Sequence, residues 1–81
     1  MLTALSNSKH IAGAKQIRKA VRAGTVERVY LAKDADERVT ALLEELCRQT
    51  GTLMTWVPTM RELGVACGIG VATACAGMLR E

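Results

Sequence analysis

The sequence predicts an α/β fold, a three-layer α/β/α sandwich with a mixed sheet of about four strands. Three observations lead there. Short β-branched runs alternate with runs of helical period, glycines and the one proline fall at the junctions between them, and acidic or hydroxyl residues stand where helices would begin. Such alternation puts helices on both faces of a mostly parallel or mixed sheet.

The 81 residues form one domain, 1–81. A chain of this length buries only about 60% of its unfolded surface, so the core is thin. A hydrophobic content of 49% excludes a disordered chain, and no repeat or low-complexity tract occurs.

Residues 2–6 suit a short opening helical turn and residues 9–12 a brief strand. Over residues 14–23, Ala14, Ile17, Ala20 and Val21 share one side of a helix, while Lys15, Arg18, Lys19 and Arg22 share the other. Gly24 stands where a helix ends in a left-handed residue. Residues 28–32 (Arg-Val-Tyr-Leu-Ala) read as a strand entering the core. Asp34 and Asp36 then suit a helix N-terminus, where carboxylates accept free amides and offset the dipole. That helix carries Val39, Leu42, Leu43, Leu46 and Cys47 as its apolar stripe and Glu44–Arg48 as an ion pair on its wet side. Gly51 ends it.

Residues 53–57 (Leu-Met-Thr-Trp-Val) form the next expected strand, stopped by Pro58. Thr59-Met60-Arg61-Glu62 is a capping box, in which the threonine and the glutamate each accept an amide from the other's end of the turn. A short helix starts at Met60 and breaks at the glycines that follow. Residues 71–79 are expected as the last strand, with Ala72, Ala74 and Ala76 small enough for a helix to approach one face. Residues 63–79 carry no charge, but Gly64, Gly68, Gly70 and Gly77 and the many small residues favour a loop and strand over a membrane helix.

Several chemistries lack their residues. The only histidine is His10, so no nucleophile, base and orienting group can be assembled. Asp34 and Asp36 are better explained as caps than as paired catalytic carboxylates. Gly68-Ile69-Gly70 does not extend to a dinucleotide fingerprint, and no phosphate-binding Walker loop occurs. Cys47, Cys67 and Cys75 have no metal-ligand spacing and read as free thiols. No enzymatic activity, catalytic residue, cofactor or metal ion is expected. Residues 1–8 lack the basic flank and apolar run of a secretory signal, and the free thiols suit a reducing compartment, so the cytoplasm is the expected location.

Charge supplies the positive indication. The net charge is +3. Residues 1–22 hold Lys9, Lys15, Arg18, Lys19 and Arg22 and no acid, so the whole excess sits in the first quarter of the chain. An anionic partner accounts for that asymmetry, phosphate backbone being the commonest; a solvated helix face is the alternative. The helix behind Gly13 presents free amides and the positive end of its dipole, an anion site. Lys15, Gln16 and Lys19 can donate to base edges from its first turns. Tyr30 and Trp56, the only aromatics, both fall inside expected strands, which leaves no rings for single-stranded bases. A folded RNA suits this surface better.

Three segments resemble the kink-turn RNA-binding ribosomal proteins, the L-seven-Ae/L-thirty-e group, in its small bacterial form. They are Gly13-x-Lys15-Gln16-x-x-Lys19-Ala20, Val29-Tyr30-Leu31-Ala32-Lys33-Asp34-Ala35-Asp36, and Val57-Pro58-Thr59-Met60-Arg61-Glu62-Leu63-Gly64-Val65-Ala66-Cys67-Gly68-Ile69. The resemblance implies the same three-layer fold and binding to a kink-turn, an RNA helix bent sharply at tandem sheared G·A pairs. By that likeness Lys15, Gln16 and Lys19 contact bases, Gly13 and Ala14 lie close against RNA, and the loop of Cys67, Gly68, Ile69, Gly70 and Val71 packs on an extruded nucleotide. Arg22 and Lys33 complete the expected RNA-binding set. Lys15-Gln16 departs from the Asn-Glu usual in archaeal and eukaryotic relatives, Gly70 from a common acid, and Val65 from a common lysine.

The expected partner is therefore structured RNA, ribosomal or another non-coding RNA, bound by a monomer without membrane or small-molecule substrate. The competing reading is a protein-interaction module whose basic helix docks on an acidic partner. A redox module using Cys67 and Cys75 is a weaker third.

Overall fold

Strand β2 (Val26–Ala32) lies inside the sheet and carries the hydrophobic load of both faces. The computed structural model describes residues 9–80, so the expected turn at residues 2–6 lies outside the described residues. Strands β1 (His10–Ala12), β3 (Leu53–Val57) and β4 (Cys75–Leu79) complete a four-stranded sheet in the order β1-β4-β2-β3. β4 is antiparallel to both β1 and β2, while β2 and β3 are parallel, so the sheet is mixed.

Helices α1 (Ala14–Ala23) and α2 (Glu37–Thr50) cover one face and α3 (Met60–Cys67) the other, as the three-layer expectation required. Strand alternation divides the core accordingly. Val29 and Leu31 of β2 pack with Ile17, Val21, Leu43, Cys47 and Cys75 under α1 and α2. Tyr30 and Ala32 point the other way, to Val57, Leu63, Cys67 and Ala76 under α3. Val26 breaks the alternation and joins the α1/α2 side, because a register shift separates it from Arg28. The strand expected to begin at Arg28 thus starts two residues earlier.

Two other boundaries differ from expectation. The last strand starts at Cys75 rather than residue 71; the segment before it, with Gly68 and Gly70 at positive φ, folds back on α3 instead. In α2 the buried line is Thr40, Leu43 and Cys47, and Leu42 is 60% exposed. Leu42 borders an open cleft of about 240 Å³ between α1 and α2, lined also by Ala14, Lys15, Arg18, Val39 and Leu43. The ion pair on this helix joins Arg48 to Glu45, not Glu44. Positions three and four apart are both neighbours on a helix, and spacing does not choose between them.

The two aspartates divide their work. Asp36 caps α2, accepting the Arg38 amide at 2.9 Å, and the Arg38 guanidinium holds its carboxyl below the usual carboxylate range. Asp34 reaches across 26 residues to accept the Met60 amide at 2.8 Å, the first of α3. Thr59 accepts the Glu62 amide at 3.1 Å, as its capping role requires. Among the described residues Glu62 does not return the bond.

All three cysteines are free and buried. Cys67 lies under α3 and Cys75 under α1 and α2, on opposite faces of the sheet, which removes the basis for a redox pair. No helix is long and apolar enough to cross a membrane among the described residues, where no metal-binding cluster occurs either.

Replacing Asp34 with alanine leaves the Met60 amide without its acceptor and should cost about 0.5–2 kcal/mol in urea unfolding, with Asp34→Asn much milder. Burial pushes the Cys75 thiol up to about 11, a Gly13 backbone hydrogen bond pulling the other way. An unfolded thiol ionises near ~8.5. Folding therefore holds a proton that the unfolded chain releases first, so this contribution is complete below that pH and declines as pH rises towards 11. Urea midpoints measured between pH 8 and 10.5 should fall less steeply in Cys75→Ala than in the parent chain.

Candidate nucleic-acid interface

Among the described residues, the strand directions bring three helix starts to one end of the sheet. β1, β2 and β3 all run the same way, and each leads within five residues into α1, α2 and α3. Helix N-termini carry about half a positive charge each and unpaired amides. At α2 that field meets Asp36 and Glu37, and at α3 it meets Thr59, Asp34 and Glu62. At α1 it meets none of these. Gly13 caps the helix with no side chain, and its first turn holds no acid.

Around that uncapped start the sequence places its basic residues. Gly13 has φ 100°, a conformation suited to glycine, and a Cβ added there would meet nothing within 4 Å. Open space therefore lies directly over the backbone. Lys15, Gln16 and Lys19 are exposed, with Arg18 and Arg22, and Ala14 is half-buried. Ile17 and Val21 are buried beneath them, so the helix is pinned by one side and presents the other. Lys15 and Lys19 lie one turn apart, about 6 Å along the axis. Arg22 stands about 13 Å from Gly13 along the same helix. Lys33 is exposed just past β2, its amide bonded to the Val57 carbonyl at 2.8 Å.

A second exposed element follows α3. Gly68 and Gly70, at φ 73° and 76°, turn the chain back, and Ile69 and Val71 are held out in solvent, Val71 67% exposed. Val65 on α3 is likewise exposed, at 71%. The return path is fixed by Gly64, where an added Cβ would lie 1.9 Å from the Val71 carbonyl oxygen. The Thr73 amide then closes on the Met60 carbonyl at 3.1 Å.

Cys67 stands apart from its neighbours in this loop. Its side chain is buried under α3, so it anchors the loop and presents no surface of its own. Burial also raises its thiol pKa. Tyr30 is buried too, but Trp56 is 38% exposed, because β3 is an edge strand. The ring expected inside is partly outside, on the sheet edge opposite β1.

Two residues had no part in the expected site. The His10 ring reaches the Cys67 carbonyl at 2.8 Å, and Asp34 holds the start of α3. Both bonds link residues far apart in the chain, which no local pattern signals.

A family model described as the ribosomal protein L7Ae/L30e/S12e/Gadd45 family matches residues 1–81. The chain belongs to this family. An RNA-binding protein of Caldanaerobacter subterraneus is 46% identical over 68 residues, 84% of this chain and 83% of that protein. The large ribosomal subunit protein eL8 of Nitrosopumilus maritimus is 34% identical over 68 residues, 83% of this chain and 53% of that longer protein. A 15.5kD RNA-binding protein from Giardia lamblia has a solved structure that matches at TM-score 0.87 and 25% identity, covering 99% of this chain and 68% of its own. The family expected from the three sequence segments is thus the family found, with its fold.

Within this L7Ae-type fold the loop after α3 depends on Gly64. Gly64→Ala should displace that loop and cost about 1–3 kcal/mol, the range for overpacking. Amide exchange confined to residues 68–73, beside a urea titration, would detect both effects; an unchanged loop would count against the packing described.

Proposed function

We propose that this chain binds structured RNA and stabilises a kink-turn in its bent form, through Gly13, Ala14, Lys15, Gln16 and Lys19. One observation carries the reading: of the three described helix starts at that end of the sheet, α1 is the one with no side-chain cap and no acid in its first turn among the described residues, and Lys15, Gln16 and Lys19 stand exposed on its first turns. Phosphate oxygens would take the free amides and the lysine charge. Base edges in a widened groove would take Lys15, Gln16 and Lys19, since lysine donates to guanine O6 and N7 and glutamine both donates and accepts.

The loop of Gly68, Ile69, Gly70 and Val71 forms the second arm. Its exposed Ile69 and Val71 suit the flat face of an extruded nucleotide, while the Cys67 side chain serves the core. Arg22 and Lys33 supply phosphate contacts at the margins. Names among the relatives support the reading: an RNA-binding protein, a large-subunit ribosomal protein and a 15.5kD RNA-binding protein. The target we infer is ribosomal or another non-coding RNA, bound by a cytoplasmic monomer that catalyses nothing.

Lys15→Ala and Lys19→Ala should each weaken kink-turn binding by about 1–3 kcal/mol, the worth of a specific base contact. Raising the salt should weaken binding of every variant, because phosphate contacts release counterions. A titration against a kink-turn and a straight duplex of equal length measures both. Equal affinity for the two RNAs would favour a generic basic surface or docking on an acidic protein. Variants that bind like the parent chain would reject the site.

A further inference from the structure

We propose that His10 is a positioning residue of the RNA interface, a strut between its two arms that acts through its hydrogen bond to the Cys67 carbonyl. The proposal rests on the RNA-binding reading above. The His10 Nε2 lies 2.8 Å from that oxygen, across 57 residues of sequence, in a partly buried setting. A backbone carbonyl only accepts, so Nε2 carries the proton and donates.

Both ends of the bond abut the site. His10 opens β1, whose last residue, Ala12, precedes Gly13 and the uncapped start of α1. Cys67 closes α3 and precedes Gly68, the first residue of the exposed loop. His10 pairs in register with Met78, which packs in the α3-side cluster, so its ring emerges on the face that α3 covers. The route from Gly13 through β1, across this bond and into Gly68 is short, whereas the covalent route runs through most of the chain.

The carbonyl also needs a partner. The last carbonyls of a helix have none within it. In α3 the Val65 carbonyl takes the Gly68 amide at 3.0 Å and the Gly64 carbonyl takes the Ile69 amide at 3.3 Å. Cys67 receives its donor from β1. A loop with two positive-φ glycines has much freedom to lose on binding, and anchoring its first residue in advance reduces that cost. His10 thereby sets where Ile69 and Val71 stand relative to Lys15 and Gln16 without touching RNA itself.

The test uses the full chain and its His10→Ala and His10→Gln variants, the glutamine retaining an N–H donor. Each is titrated with a kink-turn RNA and with a straight duplex, and amide exchange is followed at Gly68 and Ile69. His10→Ala should weaken kink-turn binding about three- to tenfold, the range for one lost hydrogen bond, and speed exchange at those two amides. Amides of β2 and β4 should keep the parent rates, and His10→Gln should recover most of both effects. Unchanged exchange in the loop, a loosened loop with unchanged kink-turn affinity, or exchange raised equally in β2 and β4 would each overturn the role of His10. If the parent chain discriminates the two RNAs and His10→Ala does so equally well, His10 alone is rejected. If the parent chain binds both RNAs alike, the RNA reading fails and the role of His10 fails with it.

Discussion

Strand direction is the constraint from which the rest of this molecule follows. Because β1, β2 and β3 run the same way, each must hand over to a helix at the same end of the sheet, and β4 returns between β1 and β2 in the opposite sense. Three helix dipoles then point their positive ends into one region. Left alone, that arrangement concentrates unpaired amides and like partial charges. The chain relieves it at α2 and α3 with Asp36, Thr59 and Asp34, while among the described residues no side-chain oxygen and no acid does so at α1. Adding Lys15 and Lys19 there works against the stability of an isolated helix, since cations are disfavoured near an N-terminus. An incoming anion reverses the sign of that cost.

The second arm follows from packing rather than charge. α3 is only eight residues long, too short to hold itself together in water. It is fastened to the sheet by Leu63 and Cys67 from its buried side, by Asp34 at its start and by His10 at its end. Gly64 then lets the returning chain lie directly on the helix. The exposed Ile69 and Val71 are therefore carried by a segment whose base is fixed at several points. Apolar side chains held in solvent in this way require such support, because burial would otherwise draw them inward.

Much of the fold was legible because its signals are local. The period of α1, the glycines that end α1 and α2 and the strand stopped by Pro58 are all short-range patterns, and the structure reproduces their boundaries, whereas α3 runs through Gly64 and ends only at Gly68. What escaped was set by other parts of the chain. Asp34 reads as a cap for the helix that follows it, yet it serves one that begins 26 residues later. Val26 of β2 pairs with Leu79, and a register shift before Arg28 puts its side chain on the α1/α2 side. Leu42 fits the apolar stripe of α2 as well as Leu43 does, but the position of α1 leaves a cleft beside it. Trp56 looks interior until the strand order puts β3 at an edge. The basic arm was visible as an imbalance of charge; the glycine-rich arm was visible only through resemblance, since glycines and small apolar residues carry no chemical signature of their own.

The distribution of aromatic residues bears on what kind of RNA such a surface suits. A single strand is held mainly by stacking on rings, and each base so held contributes about 1–3 kcal/mol. Tyr30 is buried and Trp56 lies on the sheet edge away from β1, so neither ring stands beside the uncapped start of α1. Backbone amides, two lysines and a glutamine remain, on a rigid helix whose inner side is locked by Ile17 and Val21. Groups of that kind discriminate by position: they contribute fully only when phosphates and base edges are already held at matching spacing. A flexible strand would have to be ordered on arrival and would lose much of the gain to entropy. A duplex already bent and widened presents its acceptors in place. The proposed preference for a folded target thus follows from the poverty of this surface in rings as much as from its wealth of charge.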